Sequence, residues 1–204
     1  MSHLGTLCIF ARAPERGAVK TRLAARIGAD AALAAYQRLV DLALSRYAAL
    51  PDLRSELWVS GDRCLPEVRG WSADWGLPLF EQRGGDLGER MAAAMAHGCA
   101  RDVATLIVGI DCPCIDGAYV RAAAQTLLTT DLVLAPAEDG GYGLIGLRRP
   151  MPELFRGVAW GSSSVLAETL VKAERLRLRY ELLETVWDVD DAADWERFLE
   201  SGYG

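Results

Sequence analysis

Short apolar runs, typical of buried strands, alternate along the chain with longer segments whose apolar residues recur every three or four positions. The runs predict strands at residues 7–11, 56–60, 79–82, 105–110, 132–135, 144–147 and 180–183. The longer segments predict helices at residues 20–27, 31–50, 86–100, 117–128, 163–175 and 192–200. Strands separated by helices indicate a mostly parallel sheet covered on both faces. We therefore predict an α/β protein of three layers, with a mixed sheet because the region 132–147 resembles a hairpin.

The bulk properties favour one domain that spans residues 1–204, since no linker or repeat divides the chain. No stretch of eighteen residues lacks charge, so we expect no membrane span. The first residues have the pattern of a strand, so we expect no export signal. The net charge of −6 argues against a general nucleic-acid surface. Five scattered cysteines without zinc spacing indicate reduced thiols in a cytoplasmic protein.

Asp111 places a carboxylate where the apolar run 105–110 ends. Pro113 disfavours the helical region for the residue before it, so the chain should leave the strand extended. Ligands of open α/β sheets collect beyond the carboxyl ends of parallel strands. A carboxylate there can hold a hard cation against phosphate oxygens, although a helix N-cap or a turn acid is an equal interpretation of its position alone.

The first loop, residues 12–19, follows the first strand directly and leads into a helix at Lys20. Backbone N–H groups at a helix start attract anions, and Lys20 and Arg22 add positive charge. The loop is not a Walker A motif, which requires glycine where Val19 stands. Its place at the end of the first strand favours phosphate binding over a solvated basic loop.

Two glycine-rich segments are candidates for contact with a ligand. Residues 84–90 open a helix with paired glycines and with Arg90 one turn inside, but a tight turn capped by Asp86 explains this pattern at least as well. Residues 138–143 place three glycines around Asp139 and Tyr142. Because a plain hairpin turn seldom needs so many glycines, we interpret this second segment as a substrate loop.

Two further segments allow both a structural and a functional interpretation. Residues 160–165 place a glycine and three serines before an apolar helix. These residues could bind the phosphate or hydroxyls of an acceptor, but capping explains most of the pattern. In an extended segment Asp188 and Asp190 point to one face and could share a cation, while capping of the last helix by Asp190 or Asp191 is the rival account. With His97 and His3 far from these acids, the sequence does not favour histidine-based catalysis or a histidine-rich metal site.

Taken in order, the motifs resemble a family of small bacterial glycosyltransferase-like proteins, also described as transferases associated with radical-SAM/selenodomain proteins. The resemblance covers nearly the whole chain. It rests on Phe-Ala-Arg-Ala-Pro at 10–14, Gly-Ala-Val-Lys-Thr-Arg-Leu at 17–23, Asp-Leu-Gly-Glu-Arg at 86–90, Gly-Ile-Asp-Cys-Pro at 109–113, Pro-Ala-Glu-Asp-Gly-Gly-Tyr at 136–142 and Asp-Val-Asp at 188–190. That family is related to the nucleotide-diphospho-sugar transferases of GT-A fold and to the guanylyltransferases of molybdenum-cofactor and phospholactate metabolism.

The resemblance implies a Rossmann-like GT-A sheet and a site that binds Mg²⁺ or Mn²⁺. It implies Asp111 as one metal ligand and Asp190 as the second, with Asp188 the weaker candidate. The chain departs from the family pattern at Cys112, where serine is common, and at Gly143, where a second tyrosine often follows. It also departs near Ser163 and near Asp191, where a threonine is expected in each case. The changes at Gly143 and Ser163 leave the acceptor open.

These considerations assign the candidate site residues. We predict catalytic roles for Lys20, Arg22 and Asp111. The predicted donor-binding residues are Ala11, Arg12, Gly17, Lys20, Thr21, Arg22, Asp86, Gly88 and Arg90. The predicted acceptor-binding residues are Asp139, Gly140, Gly141, Tyr142, Trp160 and Ser163.

The predicted reaction is metal-dependent transfer from a nucleotide or nucleotide-sugar donor to a small-molecule acceptor. Nucleotidyl transfer from an NTP to a phosphorylated acceptor is preferred, because the first loop supplies charge for a triphosphate and residues 110–113 carry one acid in place of Asp-x-Asp. Glycosyl transfer from an NDP-sugar is the alternative that family descriptions favour. A third hypothesis is a nucleotide-binding module without turnover. The sequence does not identify the base, the sugar, the acceptor or the oligomeric state.

Overall fold

The computed structural model describes residues 4–102 and 104–203 of the chain. The strands are β1 (Gly5–Arg12), β2 (Leu53–Ser60), β3 (Leu79–Glu81), β4 (Thr105–Gly109), β5 (Leu132–Pro136), β6 (Tyr142–Leu147) and β7 (Tyr180–Leu182). The helices are α1 (Thr21–Ile27), α2 (Ala29–Tyr47), α3 (Pro66–Asp74), α4 (Leu87–Cys99), α5 (Gly117–Thr126), α6 (Val165–Arg175) and α7 (Ala192–Glu200), with a short 3₁₀ helix at Pro152–Leu154. None of the helices within these residues has the length and apolar character needed to cross a membrane.

The strands form one sheet in the order β3-β2-β1-β4-β6-β5-β7. Strand β6 runs antiparallel to both of its neighbours, and every other neighbouring pair is parallel. The predicted α/β class with a mixed, mostly parallel sheet is therefore confirmed. The chain moves outward from β1 in one direction through β2 and β3 and in the other direction through β4. Open α/β sheets bind ligands at such a point, where the strand order reverses.

The central strands of the sheet are buried on both faces, which explains their nearly continuous apolar runs. Along β1, Leu7 and Ile9 belong to the core cluster that contains the apolar faces of α2 and α5. Cys8 and Phe10 point to the opposite face and belong to the cluster that contains residues of α4. This alternation places helices on each side of the sheet and confirms the predicted three layers.

Helix α3 was not predicted from the sequence. Its nine residues contain Gly70 near the centre and bury only Val68 and Trp71. So short an apolar stripe, interrupted by glycine, gives little helical periodicity. The available signal was Pro66, because proline is favoured in the first turn of a helix.

Candidate functional site

A cleft of about 830 Å³ opens at the carboxyl ends of β1, β2 and β4. One wall comes from the first loop and the start of α1, and another from residues 137–144 and 160–162. Most of the predicted site residues line this cleft. They are Ala11, Arg12, Lys20, Thr21, Arg22, Arg90, Asp111, Asp139, Gly141, Tyr142, Trp160, Asp188 and Asp190.

Lys20 lies between the two acids that were predicted as metal ligands. Its ammonium contacts Asp111 Oδ1 and lies 3.3 Å from Asp190 Oδ1. The Lys20 side chain is 5% exposed, while the two carboxylates are about 40% exposed towards the cleft. The N–H of Val189 donates to the carbonyl oxygen of Asp111 at 3.0 Å, so the segment 186–190 is joined directly to the end of β4. The structure thus brings acids 79 positions apart in the sequence (190 minus 111) to one basic group.

The charge of Lys20 is maintained by its partners. Burial favours the neutral amine, but the opposing effect of Asp111 and Asp190 is greater, and the pKa of Lys20 is raised. The residue has a left-handed backbone conformation, with φ 46° and ψ 48°, at the N-cap of α1. Because such a conformation is costly for a residue other than glycine, its contacts must hold it there.

Negative charge exceeds positive charge on the floor of the cleft. Burial, followed by the charges of Asp190 and Asp139, raises the pKa of Asp188 to about 6. Arg22 Nη1 lies 3.5 Å from Asp190 Oδ2, but the Arg22 side chain is 74% exposed and solvent screens its charge. The buried cation in this group is Lys20, so the carboxylates around it outnumber it.

The carboxylate oxygens of this site suit a hard divalent ion whose remaining coordination positions are filled by water and a bound ligand. Among residues 4–102 and 104–203, no three histidine, cysteine or acidic side chains are grouped as a ready-made metal site. Asp111 and Asp190 nevertheless converge on one cation, the Lys20 ammonium. Mg²⁺ commonly takes one or two protein carboxylates and fills its other positions with water and substrate phosphates. Asp111 and Asp190 therefore provide a suitable pair of protein ligands for Mg²⁺ or Mn²⁺.

The capping of α7 separates the roles of the neighbouring acids 190 and 191. Asp191 Oδ1 accepts hydrogen bonds from the N–H groups of Ala193 and Asp194, at 2.8 and 3.1 Å. The Asp194 carboxylate in turn accepts a hydrogen bond from the Asp191 N–H, which completes a capping box. Capping therefore falls to Asp191 and leaves the Asp190 carboxylate facing Lys20.

Three predicted donor-binding residues do not line the cleft. Asp86 caps α4, where its carboxylate accepts from Glu89 N at 2.8 Å. A Cβ atom at Gly88 would lie 2.6 Å from Trp160 Nε1, so this glycine allows Trp160 to pack against the start of α4. Gly17 adopts a positive φ of 77° in the first loop. Of the segment 84–90, Arg90 reaches the cleft.

Two predicted acceptor-binding residues shape the opposite wall from behind. Gly140 has φ 89°, and a Cβ atom there would overlap the backbone of Ser163. The N–H of Leu166 donates to the carbonyl oxygen of Gly140 at 2.9 Å. Gly140 and Ser163 thus hold the two segments of this wall together, while Asp139, Tyr142 and Trp160 line the cleft itself.

The sequence did not identify two polar residues that line the cleft. Tyr36 Oη accepts from Arg12 N and donates to Arg12 O, both at 2.7 Å. Gln82 Nε2 donates to the carbonyl oxygens of Ala11 and Trp58, both at 2.9 Å. Tyr36 lies on the buried face of α2, so helical periodicity identifies it only as a core residue. Gln82 follows a three-residue strand, and nothing local indicates that it reaches two other strands.

The chain is similar to several solved structures. A protein of Desulfovibrio desulfuricans G20, provisionally described as a nucleotide-diphospho-sugar transferase, is 33% identical with a TM-score of 0.86, over 98% of this chain and 88% of that one. A CMP:2-keto-3-deoxy-manno-octonic acid synthetase in complex with CTP is 13% identical with a TM-score of 0.59, over 95% of each chain. The glucosyl-3-phosphoglycerate synthase of Mycobacterium tuberculosis, solved with Mg²⁺ and UDP, is 13% identical with a TM-score of 0.52, over 94% of this chain and 74% of that one. At such low identity the last two show the fold alone.

The comparison with protein families gives a match at residues 43–162. The matching family is described as "Uncharacterized protein conserved in bacteria (DUF2064)". None of the curated proteins compared with the chain matches it. The family match spans more than half of the chain, and the relative from Desulfovibrio shares its whole fold. The chain therefore belongs to the DUF2064 family, within the transferases of GT-A-like fold.

Proposed function

We propose that this protein transfers a group from a nucleotide donor to a small acceptor, with the help of Mg²⁺ or Mn²⁺. The observation that carries the proposal is the contact of Lys20 with both Asp111 and Asp190 in the cleft beyond β1 and β4. Transfer from a phosphorylated donor depends mainly on positioning and on stabilisation of charge. A site built from acids, a lysine and arginines is suited to such a reaction.

Each wall of the cleft has a role in this proposal. Asp111 and Asp190 would hold the metal ion, which offsets charge on the donor phosphates. Arg22, which is largely exposed, can move to contact the leaving phosphate, and Lys20 supplies a second positive charge. Asp139 on the opposite wall can accept hydrogen bonds from acceptor hydroxyls, and Tyr142 can pack against a ring.

Two reactions fit this arrangement. In glycosyl transfer the acceptor attacks the anomeric carbon of an NDP-sugar and the NDP leaves. In nucleotidyl transfer an acceptor phosphate attacks the α-phosphorus of an NTP and pyrophosphate leaves. The description of the relative that is 33% identical favours the first reaction. The positive charge of Lys20 and Arg22, from which the sequence favoured a triphosphate, can also serve the diphosphate of an NDP-sugar. We therefore place glycosyl transfer first.

Product release distinguishes the two reactions. NDP release from a panel of NDP-sugars and pyrophosphate release from the four NTPs can be followed with and without Mg²⁺, since water can replace an unknown acceptor at a slow rate. We expect NDP release that depends on the metal ion. Pyrophosphate release alone would support nucleotidyl transfer. Tight nucleotide binding without either product would support a binding module that has no turnover.

Asp111→Asn tests the site within whichever reaction is found. Removal of one charge contact at a transfer site typically lowers the rate by about a hundredfold or more, and we expect a loss of this size. Asp52→Asn is a matched control, because Asp52 is exposed and does not line the cleft. Equal activity of the two variants would contradict the proposed role of Asp111.

A further inference from the structure

We infer that Lys20 occupies the place of the metal ion between Asp111 and Asp190 and keeps the affinity for the metal low until donor phosphates attract the ammonium away. The inference rests on the proposed nucleotide-donor function, and it concerns the order in which that site fills. It gives Lys20 a second role besides contact with the donor. The metal and the donor would then bind as a coupled pair.

The Lys20 ammonium contacts the Oδ1 atom of both acids, and the remaining surface of each carboxylate faces the cleft. A metal ion held by the same two carboxylates would lie close to the ammonium. Because two cations so close repel strongly in a partly buried site, the ammonium and the ion compete for these carboxylates.

The movement of Lys20 away from both carboxylates is costly. Its side chain is 5% exposed, so the ammonium cannot leave both carboxylates without losing its charge partners in a poorly solvated place. A metal ion alone offers it no substitute anion. A donor diphosphate bound in the same cleft would offer the ammonium a substitute anion, because Lys20 lies on the cleft wall beside Thr21 and Arg22 at the start of α1. Each ligand therefore favours binding of the other, as reciprocal coupling requires.

Direct titration with Mn²⁺ in the absence of phosphate compounds tests this inference. The fraction of free Mn²⁺ is read from its electron paramagnetic resonance signal, so the measurement does not depend on turnover. In Lys20→Met the competing charge is removed, and we expect binding about tenfold tighter than in the wild type, a typical size for coupling between ligands. Lys20→Arg retains a positive charge and should bind no more tightly than the wild type.

The chain offers a matched control for the loss of a lysine. The other lysine, Lys172, is on α6 and donates to the carbonyl oxygen of Arg156 at 2.6 Å, outside the cleft. Lys172→Met should leave the Mn²⁺ affinity unchanged. Lys20→Gly is a second variant in case Lys20→Met folds poorly, because glycine adopts the left-handed conformation of this position without strain.

Failure of the inference can be distinguished from failure of the proposed function. If Asp111→Asn weakens Mn²⁺ binding but neither Lys20→Met nor Lys20→Gly strengthens it, the competition is refuted and the metal-assisted function stands. If Asp111→Asn changes Mn²⁺ binding neither in the wild type nor in the Lys20→Met background, the metal site itself is refuted. Tighter binding in both Lys20 variants that is lost again on adding Asp111→Asn supports the competition.

Discussion

A single phenol satisfies both backbone hydrogen-bonding groups of Arg12, the last residue of β1. Tyr36 Oη accepts from the Arg12 N–H and donates to the Arg12 carbonyl, both at 2.7 Å. Burial, reinforced by the charge of Asp111, raises the pKa of Tyr36, so the phenol stays neutral and keeps its donor. Since Arg12 opens the first loop, Tyr36 fixes the point at which the chain leaves the sheet for the cleft.

Tyr36→Phe removes this contact with little change in volume. The variant leaves a donor and an acceptor of the backbone without a partner, and we expect the free energy of unfolding to fall by about 1–3 kcal/mol. Denaturation in urea measures the loss. Tyr119→Phe is the control, because Tyr119 makes one exposed hydrogen bond to the Glu184 carbonyl at 2.6 Å. If both variants lose the same free energy, the burial of the Tyr36 contact has no special effect.

At the scale of elements, one wall of the cleft depends on close contact between the β5–β6 connection and the start of α6. Gly140 lies against the backbone of Ser163, and the carbonyl oxygen of Gly140 accepts a hydrogen bond from the Leu166 N–H at 2.9 Å. Asp139 accepts from Gly141 N at 2.8 Å, which holds the turn. Gly140, one of the glycines from which a substrate loop was predicted, therefore allows these two segments to pack closely.

Gly140→Ala and Gly161→Ala separate packing from backbone strain. Both glycines have a positive φ, 89° and 84°, so both alanines bear the cost of a left-handed conformation. A Cβ atom at Gly161 meets nothing within 4 Å, whereas one at Gly140 overlaps the Ser163 backbone. We expect Gly161→Ala to lower the free energy of unfolding by about 1 kcal/mol and Gly140→Ala to lower it by about 2 kcal/mol more.

Chemical denaturation of the two variants under identical conditions gives the comparison. An additional loss for Gly140→Ala establishes the close approach of the two segments. Equal losses would mean that residues 140 and 163 can separate freely, and that the wall is not packed as described.

At the scale of the whole molecule, the cleft lies where the order of the strands reverses beside β1. The site therefore draws on the first loop, the end of β4 and the segment before α7, which are separated widely in the sequence. A ligand that contacts all three stabilises the fold as a unit, because it binds the native chain and not the unfolded one.

Thermal unfolding in the presence of nucleotides measures this effect. A ligand present at a hundred times its dissociation constant adds about 2.7 kcal/mol, which corresponds to an increase of about 5–10 °C in the melting temperature of a protein of this size. We expect such an increase for a nucleoside diphosphate or an NDP-sugar together with Mg²⁺. No increase with any NTP, NDP or NDP-sugar, with or without Mg²⁺, would contradict a nucleotide donor.

The sequence by itself determined the class of fold and indicated most of the acidic and basic residues that line the cleft. The apolar runs identified the strands because a strand buried on both faces needs apolar residues at nearly every position. Strand ends were informative for the same reason, since Asp111 is conspicuous directly after such a run. Helix α3 was missed because its few buried residues leave no clear period.

Only the tertiary structure decided which of these residues lie together. Local sequence left capping by Asp190 or Asp191 as an alternative to a cation site, and the capping box with Asp194 assigns the cap to Asp191. Nothing near Lys20 in the sequence shows that it contacts Asp111 and Asp190, because that contact depends on the order of strands in the sheet. Hydrophobic periodicity records which face of an element is buried, whereas a polar site is assembled from loops that lie far apart along the chain.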